Sequence, residues 1–338
     1  MSSDPSRSPG ARPAELPPVE PPSAGFLIQL FVVPGVIVVV VVMIWVLFNW
    51  LAQKGNDRDA FVRALQRNNE ARWQAAFNLA NAMRSEHGSS NPTLINDPEL
   101  AKQLAGILQT EIKDGSLDEH PISLRIYLSR ALGEFSVPDG LPALLEAATT
   151  VRDEKEADVR RAALEGIAIL ADNVGPENDA FAKNEKLEEV LISAAGDSDA
   201  RTRSVAAVTL GIIGTPAMLE KLQFVQGDAN PDVRYNAALR LAQHGSTSAI
   251  PVLLEMLDPA ETAGVDAEKE PQMREFKRAL ITINALRASG QLVEANREAD
   301  LAELRSAIEK LLAGDISQET RVEATSALNH FDNRAAAK

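Results

Sequence analysis

The side chains best suited to acid–base or metal chemistry in this 338-residue chain are 48 carboxylates and four histidines, because cysteine is absent. The histidines lie far apart, and no His-x-x-x-His or Glu-x-x-His pair occurs, so a transition-metal site would need long-range convergence. Phosphate-binding loops, nucleophile elbows and dinucleotide fingerprints are missing as well. We therefore predict no catalysis, no metal and no cofactor. The histidines are His87, His120, His244 and His330.

A membrane span is predicted near the start, because residues 26–48 contain no charged side chain and one strongly polar residue, Gln29. As a helix this run would be about 34 Å long, against a hydrocarbon core of about 30 Å. It lacks the polar stripe of a core helix and is too long for a signal peptide. Trp45 and Trp50 fit the membrane–water boundary. We predict a transmembrane helix over residues 25–50 that meets lipid through residues 26–48.

The orientation of this predicted span follows from basic residues. Four of them lie between residues 54 and 67, whereas only Arg7 and Arg12 precede the span. The positive-inside rule then predicts a single-pass protein with its N-terminus outside and its C-terminal part in the cytoplasm. Residues 1–24 are rich in Pro and Ser and are predicted to be a disordered tail.

Charge is spread unevenly along a chain whose formal net charge is −14. Residues 51–72 hold five basic and three acidic side chains, whereas the chain beyond residue 72 is strongly acidic. Such acidity repels phosphate and argues against nucleic acid as a partner. The basic stretch would lie against anionic lipid headgroups, and the acidic part would be held away from them.

A helical motif recurs after residue 57. It consists of a basic residue, small or apolar residues three and four positions on, and Leu or Ile about seven positions on, as in VRRAALEGIAIL and VRYNAALRLAQHG. A second apolar helix such as AIPVLLEMLD follows most copies, and the spacing suits paired-helix repeats. We predict an all-α fold, an α-solenoid of helix pairs. Residues 51–119 would hold juxtamembrane helices and a degenerate first repeat, and residues 120–338 the array.

The segment DANPDVRYNAALRLAQHGSTSAIPVLLEMLD, residues 228–258, resembles a HEAT repeat of the PBS-lyase-like type. The likeness rests on the Val-Arg start, the Ala-rich first helix, the Gly turn and a second helix that opens on Ala-Ile-Pro. It is strongest over 197–258 and extends loosely over 60–335. Near Lys277 the Val-Arg start is lost and a long acidic loop precedes it. The last copy ends after one helix.

Charged residues at the starts of the first helices have a structural interpretation. Aspartates at these starts favour the helix dipole and can meet a guanidinium, as in Asp158 with Arg160 and Asp232 with Arg234. The resemblance implies that such pairing ties adjacent repeats together. Glycines 133, 214 and 245 are predicted left-handed helix caps. We name the recurring charged residues at these helix starts the ladder. Its members are Arg125, Asp158, Arg160, Arg203, Asp232, Arg234 and Arg321.

A set of glutamates falls on the predicted second helices, which the resemblance places on the usual binding face. They would form an acidic groove for a basic partner segment, or they would be the solvated side of amphipathic helices. The set is Glu146, Glu188, Glu189, Glu220, Glu255, Glu303 and Glu309.

The leading hypothesis is a membrane-anchored scaffold that binds an unidentified protein partner through its repeat surface. Two alternatives stay open. PBS-lyase-like repeats also occur in proteins that attach or isomerise bilins, which would make the chain a lyase-like enzyme. The span, kinked at Pro34, could instead pack in a membrane complex of which the chain is a structural subunit.

Overall fold

The computed structural model describes residue 25 and residues 28–54, 58–67 and 71–336. The described chain is 77% helix and contains no strand, which confirms the all-α prediction. It divides into two units, the first ending at Asp57 and the second beginning at Arg58. The tail predicted to be disordered, residues 1–24, lies outside the described residues.

The first unit is a π-helical segment, Ile28–Val32, followed by helix α1, Val33–Lys54. Pro34 is the second residue of α1, where its missing N–H would have no intrahelical partner in any case. Side chains 32–47 are all exposed to solvent. Among the residues described, no helix has both the length and the hydropathy that a membrane crossing requires.

The second unit contains helices α2 to α16 over residues 58–336. Short 3-10 turns at Pro138–Gly140, Glu154–Glu156 and Thr247–Ala249 lead into α6, α7 and α13. The helices are α2 Arg58–Gln66, α3 Arg72–Glu86, α4 Pro98–Asp114, α5 Glu119–Gly133, α6 Leu141–Thr149, α7 Ala157–Val174, α8 Asp179–Ala182, α9 Glu185–Ala194, α10 Ala200–Ile213, α11 Pro216–Val225, α12 Pro231–Gln243, α13 Ile250–Leu257, α14 Pro271–Ala295, α15 Ala302–Ala313 and α16 Gln318–Ala336.

These helices stack in two rows. The first-helix row is the unbroken succession α3, α5, α7, α10, α12, α14 and α16, each packed against the next. The second-helix row is α4, α6, α9, α11, α13 and α15, whose members pack mainly against the first helices beside them. One helix pair cannot bury its apolar stripe alone, so neighbouring pairs share one core. This is the stacked helix-pair arrangement predicted from the recurring motif.

Local signals in the sequence explain where the helices begin. Asp97 caps α4 by accepting hydrogen bonds from the N–H groups of Glu99 and Leu100, and Pro98 takes the first helical position. Asp199 caps α10 in the same way through the N–H groups of Arg201 and Thr202. Such side chains satisfy N–H groups that a helix start leaves without partners.

Small residues set the distance between neighbouring first helices. Two alanines on α10 and two on α12 are completely buried: Ala206, Ala207, Ala237 and Ala238. Gly214 and Gly245 adopt left-handed φ angles of 66° and 74°, which confirms them as turn residues.

Gly133 is not a left-handed cap, contrary to the prediction, because it is the last residue of α5 and φ is not positive there. A Cβ on Gly133 would lie 2.7 Å from the Cα of Gly166 in α7. The glycine therefore serves the close packing of α5 on α7.

Candidate interaction surfaces

The recurring arginine joins consecutive repeats through two sets of hydrogen bonds. Arg203 Nη1 donates to the carbonyl oxygens of Asp197 and Ser198, at 2.9 and 3.1 Å, in the loop before its own helix. Its Nε and Nη2 donate to the two carboxylate oxygens of Asp228, at 2.7 and 2.9 Å, in the loop before the next first helix. One planar guanidinium thus fixes two successive loops.

Other arginines of the array also bond carbonyl oxygens that precede their own helix, with different second partners. Arg234 Nη1 donates to the carbonyls of Asp228 and Ala229, and its Nη2 lies 2.5 Å from Glu255 Oε1. Arg321 caps the carbonyls of Leu312 and Gly314. Arg72, which the predicted ladder did not include, donates to the Leu65 carbonyl and pairs with Glu111 at 2.8 Å.

Arg125 forms the most deeply buried rung of this ladder. Its side chain is fully buried, and its Nη1 donates to Glu156 Oε1 at 2.6 Å. Arg152 also donates to the Glu156 carboxylate, and its Nη1 reaches the Ile112 carbonyl at 2.6 Å. Burial raises the pKa of Glu156, but the hydrogen bonds and charges of Arg152 and Arg125 outweigh it, so the net pKa lies below the ordinary value. Burial lowers the pKa of Arg125.

The two aspartates of the predicted ladder have other partners than expected. Asp158 pairs with Arg161 rather than Arg160, and Arg161 also reaches Asp199 at 3.1 Å. Asp232 pairs with Lys277 of the next repeat at 3.2 Å rather than with Arg234. Both carboxylates project from the exposed side of a helix start, where a neighbour on the next turn or the next helix is closer.

Arg160 is the exception in the ladder. Its Nε and Nη1 are buried and have no hydrogen-bond partner among the described residues. The expected contribution of Arg160 to joining repeats is therefore missing in this arrangement. Where the Val-Arg start is lost, Arg278 of α14 donates to the Asp258 carbonyl at 3.4 Å, and Arg274 donates to the Glu268 carbonyl at 2.9 Å.

The glutamates of the second helices occupy different environments. Glu255 accepts from Arg234 and from the Tyr235 hydroxyl, and Glu188 accepts from Thr215 Oγ1 at 2.7 Å. Glu188 links α9 to the start of α11 in the next repeat, whereas Glu255 holds α12 and α13 of one helix pair together. The structure spreads the others along the row: Glu146 is half-buried, while Glu189, Glu220, Glu303 and Glu309 are exposed, with Glu189 near Lys186 and Glu309 near Arg305.

The four histidines are dispersed, each with a different local role. His244 hydrogen-bonds to the Gly211 carbonyl at 2.7 Å, His87 lies 3.3 Å from Glu134, and His330 lies 2.9 Å from Glu294. Within the part of the chain that the structure describes, no three His, Asp or Glu side chains gather as metal ligands.

Most of the exposed large apolar residues of the second unit lie on the first-helix row. Seven such residues are exposed in the described part of the second unit, and five lie on first helices: Phe77, Met273, Phe276, Leu280 and Val322; the others are Val151 and Phe224. The spacing of Met273, Phe276 and Leu280 puts them on one side of α14, away from the core.

An aromatic cluster lies at the start of the same row. The rings of Trp73 and Tyr127 stack with centroids 6.0 Å apart, and Phe77 meets Tyr127 edge-on at 5.2 Å. His120 stacks on Trp73, and the Arg130 guanidinium lies 5.6 Å above Tyr127. The chain is only 4% aromatic, so this concentration on α3 and α5 is unusual for its composition. No sequence motif pointed to it, because its members are about fifty residues apart.

A groove crosses the row over α10, and we name it the α10 groove. Its volume is about 590 Å³. The floor is one side of α10, and the walls come from α7 and α12. Its lining residues are Glu165, Ala168, Ile169 and Asp172 from α7, Ser204, Val205, Val208 and Ile212 from α10, and Asn236 and Arg240 from α12.

A second groove of about 630 Å³ lies on the second-helix row, between α13 and α15. Leu254, Leu257, Leu311 and Ile316 give it an apolar lining, with Asp258, Lys310 and Asp315 also on its walls. It includes none of the seven predicted glutamates.

Together these features define an α-helical repeat array with exposed grooves and ion-paired joints. Within it, the model of the PBS lyase HEAT-like repeat family matches residues 233–259, which cover most of α12 and all of α13. That match confirms a HEAT-like repeat at the place where the sequence resemblance is strongest.

A solved structure resembles this chain over most of its length. The chain is similar to YibA of Escherichia coli, known from an X-ray structure, with 17% sequence identity over 84% of this chain and 96% of that one. The TM-score is 0.38, which supports no statement about function. No curated protein matches the chain.

Proposed function

We propose that this chain is a protein-interaction scaffold, anchored to a membrane and without chemistry of its own, that presents its first-helix row to a protein partner. The observation that carries the proposal is the placement of exposed apolar side chains. Five of the seven found in the described part of the second unit lie on this row. Interfaces are centred on aromatic and apolar anchors, and a contiguous exposed apolar surface usually marks a contact site.

The net charge of −14 argues for a protein rather than a nucleic-acid partner. The exposed glutamates of the second helices extend the proposal. They would attract a basic segment of a partner to the opposite row, as an electrostatic contribution rather than as anchors. Loss of surface charge acts mainly on the rate of association, whereas loss of an apolar anchor acts on affinity.

Membrane anchoring through residues 26–48 is supported by their sequence, which has no charged side chain over 23 positions. The described side chains between 32 and 47 are exposed and almost all are large and apolar. Water is a poor solvent for such a surface, and lipid is a good one. The array would then lie on the cytoplasmic side, as the basic residues after the run favour.

Fractionation of the full chain tests the anchor. We expect the protein to stay with the membrane pellet after alkaline carbonate extraction, and Val39→Lys with Val42→Lys to release it. Protease added to sealed vesicles of known orientation then reports on which side the array lies. Recovery of the unaltered chain in the carbonate supernatant would contradict the anchor.

Affinity purification of the full chain from its native membranes tests the scaffold. Phe276→Glu with Leu280→Glu should remove the partners that co-purify with the unaltered chain. Phe224→Glu, which changes an exposed apolar residue of the second-helix row in the same way, is the matched control. Glu220→Lys with Glu303→Lys reports on the proposed role of the glutamates. Partners retained by every variant would contradict an interaction through either row.

A further inference from the structure

The α10 groove combines an apolar floor with walls of opposite charge. Val205, Val208 and Ile212 lie half-buried along the floor, at the three- and four-residue spacing of one helix face. Glu165 and Asp172 lie on the α7 wall, and Arg240 lies on the α12 wall.

Gly211 leaves the space that the Arg240 side chain occupies. A Cβ on Gly211 of α10 would lie only 2.2 Å from the Cβ of Arg240 and 2.4 Å from its Cγ. The aliphatic stem of Arg240 therefore packs directly on the α10 backbone, which a larger residue at 211 would prevent. The stem is fixed while the guanidinium remains at the groove.

Within the described chain, the guanidinium of Arg240 forms no ion pair. Its Nη1 donates to Gln243 Oε1 at 3.0 Å. Burial lowers the pKa of Arg240, and the more distant charge of Asp172 opposes this effect. A partly desolvated cation without an ion-pair partner gains more from an incoming carboxylate than a fully hydrated one does.

The opposite wall favours a cation. Asp172 is exposed and has no ion pair in the described chain, and Glu165 makes only a long contact of 3.9 Å with Arg130. An occupant with a basic group on this side and an acidic group on the Arg240 side would satisfy both walls. An occupant of one charge would be attracted by one wall and repelled by the other.

A helix fits this groove better than an extended segment. The walls and floor are helices whose backbone groups are already paired, so an added strand would find no backbone partners. The floor from residue 204 to 212 is about 12 Å long, or roughly two helical turns. An amphipathic helix needs only side-chain contacts and would place two turns of its apolar face on this floor.

From these observations we propose that the α10 groove binds an amphipathic helix of a partner protein. Its apolar face lies on Val205, Val208 and Ile212, with an acidic flank toward Arg240 and a basic flank toward Glu165 and Asp172. This inference rests on the proposed scaffold function and names the kind of partner segment recognised.

Selection from a displayed library of 16-residue helical peptides tests the proposal, with the full chain in nanodiscs as bait. The peptides have fixed Leu at one face and Glu, Lys or Ala at each flanking position. We expect selection of peptides with Glu on one flank and Lys on the other, and at least tenfold weaker binding of them to Val208→Glu. Arg305→Glu, on the second-helix row, is the matched control and should bind them normally.

A specificity switch sharpens the test. In Arg240→Glu both walls are acidic, so selection should shift to peptides with Lys on both flanks. This gain of binding cannot arise from misfolding, and helical circular dichroism checks the fold of each variant. An unchanged peptide preference in Arg240→Glu, or a library without binders that depend on Val208, would overturn the proposal. Either result leaves the scaffold intact if native partners still require Phe276 and Leu280.

Discussion

The two helix rows differ in charge and in what they contribute. The seven first helices hold 16 basic and 11 acidic side chains, whereas the six second helices hold 6 basic and 11 acidic ones. The first-helix row contains the arginines that join repeats, the glycines at close helix contacts and most of the exposed apolar residues. We infer that the first-helix row both fixes the array and presents its binding surface, whereas the second-helix row supplies apolar backing and negative charge.

The comparison also explains why arginine recurs on one row only. Each first helix begins beside the loop that ends the preceding pair, where carbonyl oxygens of a helix end lack intrahelical partners. Arginine reaches these carbonyls and a carboxylate at once, because its five donors lie in one plane. The second helices begin after tight turns, and side-chain caps such as Asn184 and Thr215 suffice there.

The largest effect should come from the buried rung. Arg125→Met leaves Glu156 buried with Arg152 as its remaining partner, and we expect it to lower the free energy of unfolding by about 3 kcal/mol. Urea unfolding of the full chain, followed by circular dichroism, measures this. Arg287→Met, which breaks an exposed pair with Glu323, should cost less than about 1 kcal/mol. An equal decrease in the free energy of unfolding in the two variants would refute the claim that the buried Arg125–Glu156 pair contributes more than an exposed pair.

A second comparison lies within the ladder, between Arg203 and Arg160. Arg203→Met removes two bonds to Asp228 and two to carbonyls, and we expect it to cost about 2 kcal/mol. Arg160→Met removes a side chain whose buried Nε and Nη1 are unpaired, so it should be neutral or slightly stabilising. The same urea experiment decides between them. A larger loss for Arg160→Met would mean that this arginine has a partner the ladder does not account for.

Much of this ladder could be predicted from the sequence, because its residues recur at fixed positions of a helical motif. Arg125, Arg203, Arg234 and Arg321 all donate a hydrogen bond to a carbonyl of the loop that precedes their helix. Gly214 as a turn residue is an equally local feature, and it was predicted. Local chemistry depends on neighbours in the chain, which the sequence displays directly.

Partners across repeats could not be predicted in the same way. Asp158 pairs with Arg161 and not with Arg160, because Arg161 lies on the face of α7 that meets α10. Which face of α7 meets α10 is decided by helix packing. Arg152 and Glu156 lie in a loop outside the motif, so nothing marked them as members of the buried cluster. The α10 groove needs three helices from three repeats, and no single segment carries its signature.

Glycine substitutions compare the two rows directly. A Cβ on Gly166 in α7 would lie 2.6 Å from the Ser129 carbonyl oxygen of α5, so Gly166→Ala should destabilise by about 1–2 kcal/mol through overpacking. Gly106 in α4 has nothing within 4 Å, so Gly106→Ala should stabilise by roughly 0.5–1 kcal/mol through helix propensity. Opposite shifts in the urea midpoint would confirm that close approach is confined to the first helices.

The smallest effect should be a pH dependence that arises from the joints of the first-helix row. The hydrogen bonds from Arg203 lower the pKa of Asp228, and the net pKa of Glu156 is also lowered. For both carboxylates, the unfolded chain binds the proton at a higher pH than the folded chain does, as the pH is lowered. The stabilisation is therefore complete above the unfolded pKa of about 4 and is lost as the pH falls through the lower, folded value.

Urea unfolding between pH 3 and pH 6 measures this dependence. We expect the free energy of unfolding to fall with decreasing pH, and Asp228→Asn to flatten part of that slope. Arg203→Met should flatten the same part, because the guanidinium is the main cause of the lowered pKa. If Asp228→Asn flattens the slope and Arg203→Met leaves it unchanged, the carboxylate is stabilised by something other than its arginine, and the joint works differently from the geometry described above.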